Sequence, residues 1–243
     1  MKHYNIPIFI AHFGCPNKCV FCNQNKITGI ETNIQPEEVK GIIDEYLYTL
    51  PSYGEKELAF FGGTFTAISI PLQKEFLSVA KEFIDKGLIK GIRLSTRPDN
   101  IDLNIVKMLK EYGVTTVELG VQSLDNKVLS LSERGYRKEE VERAVKLLKD
   151  FQIEVGIQIM PGLPGSSFKS DLQTVKEVIE MKPNFTRVYP TLVISDTKLE
   201  KMFKNDEFVP LSLDEAVDLT SGIIAMLENC KIPIIRVGLQ PSD

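Results

Sequence analysis

The sequence predicts an α/β fold, a partial (βα)6 barrel of the TIM type with parallel strands and a seventh strand at the C-terminal end. Three observations carry this. Amphipathic helical stripes recur along the 243 residues, short apolar runs rich in β-branched and aromatic residues stand between them, and the two alternate without exception.

In chain order, the first apolar run covers residues 7–13 and is followed by the stripe Val39, Ile42, Ile43, Tyr46, with Pro36 suited to the first turn of its helix. The run 58–61 precedes Phe76, Val79, Ala80, Phe83, and the run 92–95 precedes Ile105, Met108, Leu109, Tyr112. The run 116–121 leads to Val141, Ala144, Val145, Leu148, and the run 155–160 to the looser stripe Leu172, Val175, Ile179. After residues 186–189, Ser212-Leu-Asp-Glu215 reads as a capping box opening a sixth helix that runs to about Asn229. Residues 232–237 form the seventh strand. Strands this apolar are buried on both faces, which implies a parallel sheet reached by right-handed crossovers. An open doubly wound sheet is the structural alternative. No linker or low-complexity segment interrupts residues 1–243, so a single domain is expected. Because no helix follows the last strand, the chain reads as C-terminally truncated.

Composition narrows the function classes. Lys and Arg number 29 against 33 Asp and Glu, and a net charge of −4 gives no global attraction for polyphosphate, so a nucleic-acid partner is not supported by charge. No stretch reaches the roughly 18 apolar residues that a membrane span needs, so no membrane association and a cytoplasmic location are expected.

Three of the four cysteines fall within eight residues, as Cys15-Pro-Asn-Lys-Cys19-Val-Phe-Cys22, in a polar loop at 14–29 after the first strand. Clustered thiols point to metal rather than to disulfides. Closed zinc sites want four ligands, whereas a cubane iron-sulfur cluster held by three thiolates keeps one iron open to an external ligand. A Cys3His zinc site using His12 is the sharpest alternative; His3 is the only other histidine. From a different class, the alternative to an enzyme is a non-catalytic metal-binding module, either structural zinc or an iron-sulfur electron carrier. Cys230, at the end of an apolar helical pattern, is expected to be a buried small hydrophobe.

Polar clusters recur where the strands end: Gly62-Gly63-Thr64-Phe65, Ser95-Thr-Arg-Pro-Asp99, Glu118-Leu-Gly-Val-Gln-Ser123 and Ile159-Met-Pro-Gly-Leu-Pro-Gly165. Barrel enzymes build their sites from several strand ends on one face, so a single shared pocket accounts for all four better than unrelated loops do. Arg187 and Tyr189, on the sixth strand, fit either a substrate-facing position or the edge of the core. No GxSxG elbow and no Walker loop is present, which argues against serine hydrolase and P-loop chemistry.

CxxxCxxC with Phe21 before its last cysteine resembles the signature of the radical S-adenosylmethionine (radical SAM) superfamily. The order GGTF, TRPD, ELGVQS, Arg134-Gly135 and IMPGLPG, over roughly residues 8–190, is similar to the radical domain of the elongator catalytic subunit and to oxygen-independent coproporphyrinogen III oxidase. The resemblance implies a 4Fe-4S cluster on Cys15, Cys19 and Cys22, and reductive cleavage of SAM to a 5′-deoxyadenosyl radical that abstracts hydrogen from an unidentified substrate. A reduced flavodoxin or ferredoxin would supply the electron. It further implies that Phe21, Gly62, Gly63 and Thr64 border SAM, with Thr64 departing from the usual acidic residue of the Gly-Gly-Glu type motif. Gln122 and Gln158 would contact the ribose or methionine end, and Arg134 would pair with the SAM carboxylate. Ser95 borders SAM by the same resemblance but departs from the Glu that both relatives usually carry there. Elongator-type proteins modify wobble uridines in transfer RNA, but they space their cysteines more widely and carry an acetyltransferase domain.

Overall fold

The computed structural model describes residues 2–10, 15, 18–23, 26 and 34–238. Seven strands are present: β1 (His3–Phe9), β2 (Glu55–Phe61), β3 (Gly91–Thr96), β4 (Val114–Gln122), β5 (Glu154–Ile159), β6 (Phe185–Val188) and β7 (Ile234–Val237). Each pairs in parallel with the next in sequence, so spatial order follows chain order from β1 to β7. A doubly wound sheet would reverse direction at a switch point. This sheet never does, and it curls into the half-barrel that the strand-helix alternation predicts.

The connecting helices are α1 (Pro36–Thr49), α2 (Ile70–Asp85), α3 (Leu103–Glu111), α4 (Asn126–Leu131), α5 (Lys138–Asp150), α6 (Phe168–Met181), α7 (Lys198–Lys204) and α8 (Leu213–Asn229). Local chemistry starts several of them. Pro36 takes the first turn of α1, and the Asp102 carboxylate accepts from Ile105 N–H at the start of α3. Ser212 and Glu215 form the expected reciprocal box at α8.

Period-two alternation divides the strands between two environments. Leu58 and Phe60, Ile92 and Leu94, Val117 and Leu119, and Val155 and Ile157 are buried toward the helices. There the Phe60 ring centroid lies 4.8 Å from Phe65 and 5.7 Å from Phe76. The intervening residues, Glu57, Arg93, Glu118, Gln158 and Arg187, belong to the concave face.

Four expectations are corrected. The first strand begins at His3 rather than residue 7, because Lys2 C=O already accepts from Glu55 N–H and starts the ladder there; residues 11–13 lie outside the described residues. The short helices α4 and α7 were not predicted, being too short to develop a stripe. The buried side of α6 is Asp171, Thr174, Val175 and Val178, with Leu172 and Ile179 at its margin. Cys230 is exposed: it caps α8 beyond the last buried residue, Leu227, and the chain swings away through Lys231 at φ 56°.

Candidate active site

The C-terminal strand ends gather most of the side chains that the sequence singles out. Cys15, after β1, places its Sγ 3.2 Å from Thr64 Oγ1 beyond β2, joining the thiol loop to the Gly-Gly turn. Gly62 turns at φ 93°, a conformation that a side chain would oppose. Ser95 is half-buried on β3, and Gln122, at the end of β4, sits at φ 70°. Gln158 on β5 donates from Nε2 to Gln122 Oε1 at 3.1 Å, so these two amides form one unit across adjacent strands.

The turn at residues 19–22 is fixed from below. Val20 N–H donates to Ser132 C=O, and Leu199 N–H donates to Val20 C=O. Cys19, Val20 and Phe21 pack with Val128, Leu163, Leu199 and Phe208 in an apolar cluster separate from the main core. Val128 comes from α4 and Leu199 from α7, so the two unpredicted helices are what holds the cysteine turn. Phe21 is buried in that cluster.

Cys19 is the electrostatic focus. Arg134 Nη1 donates to its Sγ at 3.0 Å, and Arg97 Nη1 approaches the same sulfur at 3.9 Å. Both guanidiniums stack over the Tyr136 ring, at 5.0 Å and 5.2 Å. Arg134 also donates to Gly120 C=O and Tyr136 Oη, while Arg97 donates to Arg134 C=O and forms a fork with Asp99 at 3.0 Å and 2.8 Å. Burial opposes the Arg134 charge, but Tyr136 and the Cys19 thiol outweigh it and raise its pKa, so it stays cationic. Burial likewise pushes the Tyr136 phenol up, keeping its proton for Gly120 C=O and Val121 C=O, each at 2.9 Å. Arg97 and Tyr136 were not singled out from sequence. The Thr-Arg-Pro-Asp motif was the available signal for Arg97, since an Arg two residues before an Asp can fold back onto it; nothing marked Tyr136.

Beyond β5 the loop 160–167 turns at Gly162 (φ 83°) and Gly165 (φ 79°). The Asp171 carboxylate ties it to α6 by accepting from Gly162 N–H at 2.9 Å and Ser166 Oγ at 3.2 Å. Burial raises its pKa from 3.8 to about 6. Between these values the folded protein holds more protons than the unfolded chain, so this group lowers stability as pH rises. The loss is about 3 kcal/mol across the window, with roughly half of it between pH 5 and 7. Asp171→Asn is therefore expected to flatten the dependence, read as the wild-type-minus-variant difference in urea unfolding free energy. An identical slope in both proteins would contradict it.

Among the described residues, no three His, Cys, Asp or Glu side chains are gathered into a metal-binding group. His12, which the zinc alternative needs, lies outside the described residues. The donor set nevertheless suits an iron-sulfur cluster: the thiols are soft ligands, and the two guanidiniums at Cys19 compensate the negative charge that a thiolate-bound cluster concentrates there.

A half-barrel with a three-cysteine loop after β1 and a Gly-Gly turn after β2 defines a class of SAM-dependent radical enzymes, and comparison with known families agrees. Residues 9–178 match the Radical SAM superfamily and residues 183–243 a Radical_SAM C-terminal domain; the chain belongs to the radical SAM superfamily. It is an enzyme of the radical SAM class, whose cofactors are a 4Fe-4S cluster and SAM, and this decides against the zinc alternative and the non-catalytic metal module. Among its relatives, a tRNA uridine(34) acetyltransferase of Methanocaldococcus infernus is 32% identical over 247 residues, covering 85% of this chain and 46% of the relative. Elongator complex protein 3 of Saccharomyces cerevisiae is 28% identical, covering 79% and 38%. The chain thus spans about half the length, or less, of these relatives. The solved Elp3 of M. infernus, with an N-terminal deletion, superposes with TM-score 0.76 at 26% identity, over 99% of this chain and 57% of that one. Coproporphyrinogen III oxidase (HemN) of Escherichia coli shares the fold, with TM-score 0.68 at 18% identity over 94% and 52%. No helix among the described residues is long and apolar enough to cross a membrane.

Proposed function

We propose that Cys15, Cys19 and Cys22 hold the cluster, that SAM lies against Gly62, Gly63 and Thr64, and that the radical acceptor is a uridine of transfer RNA. The observation that carries the site assignment is the pair of contacts Cys15 with Thr64 and Cys19 with Arg134, which bring the thiol loop onto the strand ends of β2 and β4. When bound, the cluster supplies the electron that cleaves SAM to the 5′-deoxyadenosyl radical. This chain's own residues bind and orient. Backbone carbonyls of the Gly-Gly turn accept from the SAM amino group, and the Gln122–Gln158 unit faces the ribose, with half-buried Ser95 beside them on β3. Phe21 anchors the cysteine turn and closes the apolar side of the site. Arg134 serves the SAM carboxylate in this reading by sharing donors that it gives to Cys19 and Gly120. A reduced flavodoxin or ferredoxin is the proposed electron donor.

The uridine assignment rests on the 32% identity to a tRNA uridine(34) acetyltransferase. It is tested by anaerobic reconstitution with dithionite and SAM: 5′-deoxyadenosine should form slowly without RNA and faster with transfer RNA, and no increase would sink the substrate reading. A net charge of −4 sets the expected affinity. Transfer RNA should bind no better than micromolar at physiological salt, the nonspecific range, with a shallow salt slope by fluorescence anisotropy. Nanomolar binding with a steep slope would reveal a basic face that total charge hides.

A further inference from the structure

The concave face carries a charge relay that the cofactor site leaves unused. Glu57 Oε2 accepts from His3 Nε2 at 2.9 Å and from Arg93 at 3.3 Å. Arg93 Nη1 donates to Glu118 Oε1 at 3.0 Å, and Glu118 is gripped from its other side by Arg187, at 2.6 Å from Nε and 3.2 Å from Nη2. The relay starts on β1 and ends on β6. It passes over β5 at Gly156, where the Phe185 ring occupies the space a Cβ would need, at 2.3 Å. Three buried charges and one half-buried one cost desolvation that an apolar filling would avoid, so stability alone does not account for them. What the relay does accomplish is to fix the plane of the Arg187 guanidinium, whose side chain is 17% exposed.

Counting donors shows what that plane presents. A guanidinium has five N–H groups. Two of those on Arg187 go to Glu118, and one on Nη1 goes to Tyr189 Oη at 3.2 Å. Two therefore have no partner among the described residues. Because Tyr189 Oη accepts from Arg187, its own proton is also left over. Half-buried Arg187 and Tyr189 thus offer three donors, two of them on a cation, beside a phenol oxygen that already accepts from Arg187. Arg187 is also in register with Gln158 on β5, which in turn pairs with Gly120 on β4. The donors therefore lie one strand away from the Gln122–Gln158 unit assigned to SAM.

We propose that Arg187 and Tyr189 form the subsite that grips a carbonyl oxygen of the radical acceptor, O4 of the uracil ring. The identity of the base rests on the uridine reading above; the three unused donors do not. A site whose free groups are chiefly donors, two of them on a cation, favours the O4 of uracil and disfavours the amino group that cytosine carries at the same place, so it discriminates between the two pyrimidines.

The test compares two anticodon stem-loop RNAs differing only by U or C at the wobble position, added to reconstituted holoprotein with SAM and dithionite. The readout is the RNA-dependent increase in 5′-deoxyadenosine for the U form divided by that for the C form, so each protein is its own reference. Wild type should favour U by about tenfold, the value of one well-placed hydrogen bond to a charged group. Tyr189→Phe, which leaves the Arg187–Glu118 fork in place, and Arg187→Lys should both bring the ratio close to one. A ratio preserved in both variants overturns the subsite and leaves the uridine reading standing. A wild type stimulated equally by the two RNAs overturns the subsite and the uridine reading together, because the acceptor base is then not distinguished from cytosine. A wild type stimulated by neither RNA overturns both.

Discussion

Replacing Cys19 with Ala is expected to remove the cluster altogether: iron after anaerobic reconstitution falls from about four per chain to background, and 5′-deoxyadenosine formation falls with it. A cubane held by three thiolates has no spare protein ligand, so Cys15→Ala and Cys22→Ala should have the same outcome. Cys19 carries a second penalty. Its sulfur is the acceptor for Arg134 at 3.0 Å and lies 3.9 Å from Arg97, and both arginines are buried. Without it two guanidiniums lose a common sulfur acceptor, and about 1–3 kcal/mol of stability should go too, the usual cost of stranding a buried donor. Cys19→Ser separates the two effects, because a hydroxyl can still accept from Arg134 but is a poor cluster ligand. Cys230→Ala is the control: that thiol is exposed at the end of α8 and its loss should leave iron content unchanged. Four irons retained in Cys19→Ala, or iron lost in Cys230→Ala, would contradict the three-ligand assignment.

The barrel was legible because parallel strands covered by helices impose two periods that do not resemble each other. Leu58 and Phe60 on β2 are buried between sheet and helices, and Val141, Ala144, Val145 and Leu148 form one stripe of α5, so each element announces its own type. What escaped were features with no period. Helices α4 and α7, of 6 and 7 residues, span fewer than two turns and cannot show a stripe, yet they seat the cysteine turn through Val128 and Leu199. The strand-end motifs announced a pocket but not its internal wiring. That Arg97 and Arg134 converge on one sulfur depends on contacts 78 and 115 residues apart, which no local pattern encodes. The concave-face charges were hidden for a similar reason: Glu57, Arg93, Glu118 and Arg187 come from four strands, and each alone looks like a polar interruption in an apolar run.

That relay gives the second large effect. Glu118 is 5% exposed and both its oxygens are engaged, Oε1 by Arg93 and Arg187 and Oε2 by Arg187. Truncating it to Ala leaves two buried like charges facing a void, and the expected loss is about 3–5 kcal/mol in urea unfolding, a large fraction of a typical domain's stability. Glu118→Gln keeps the shape and one carbonyl acceptor, so it should cost less than the Ala variant while still leaving part of the positive charge uncompensated. The decisive comparison is the double variant Glu118→Ala with Arg187→Ala. If the penalty arises from stranded charge, removing the second arginine should recover part of it, and the double variant will be more stable than the sum of the two single losses predicts. Strict additivity would mean that the residues pack side by side without the electrostatic coupling assigned to them. The relay would then lose its role in holding the Arg187 guanidinium in place.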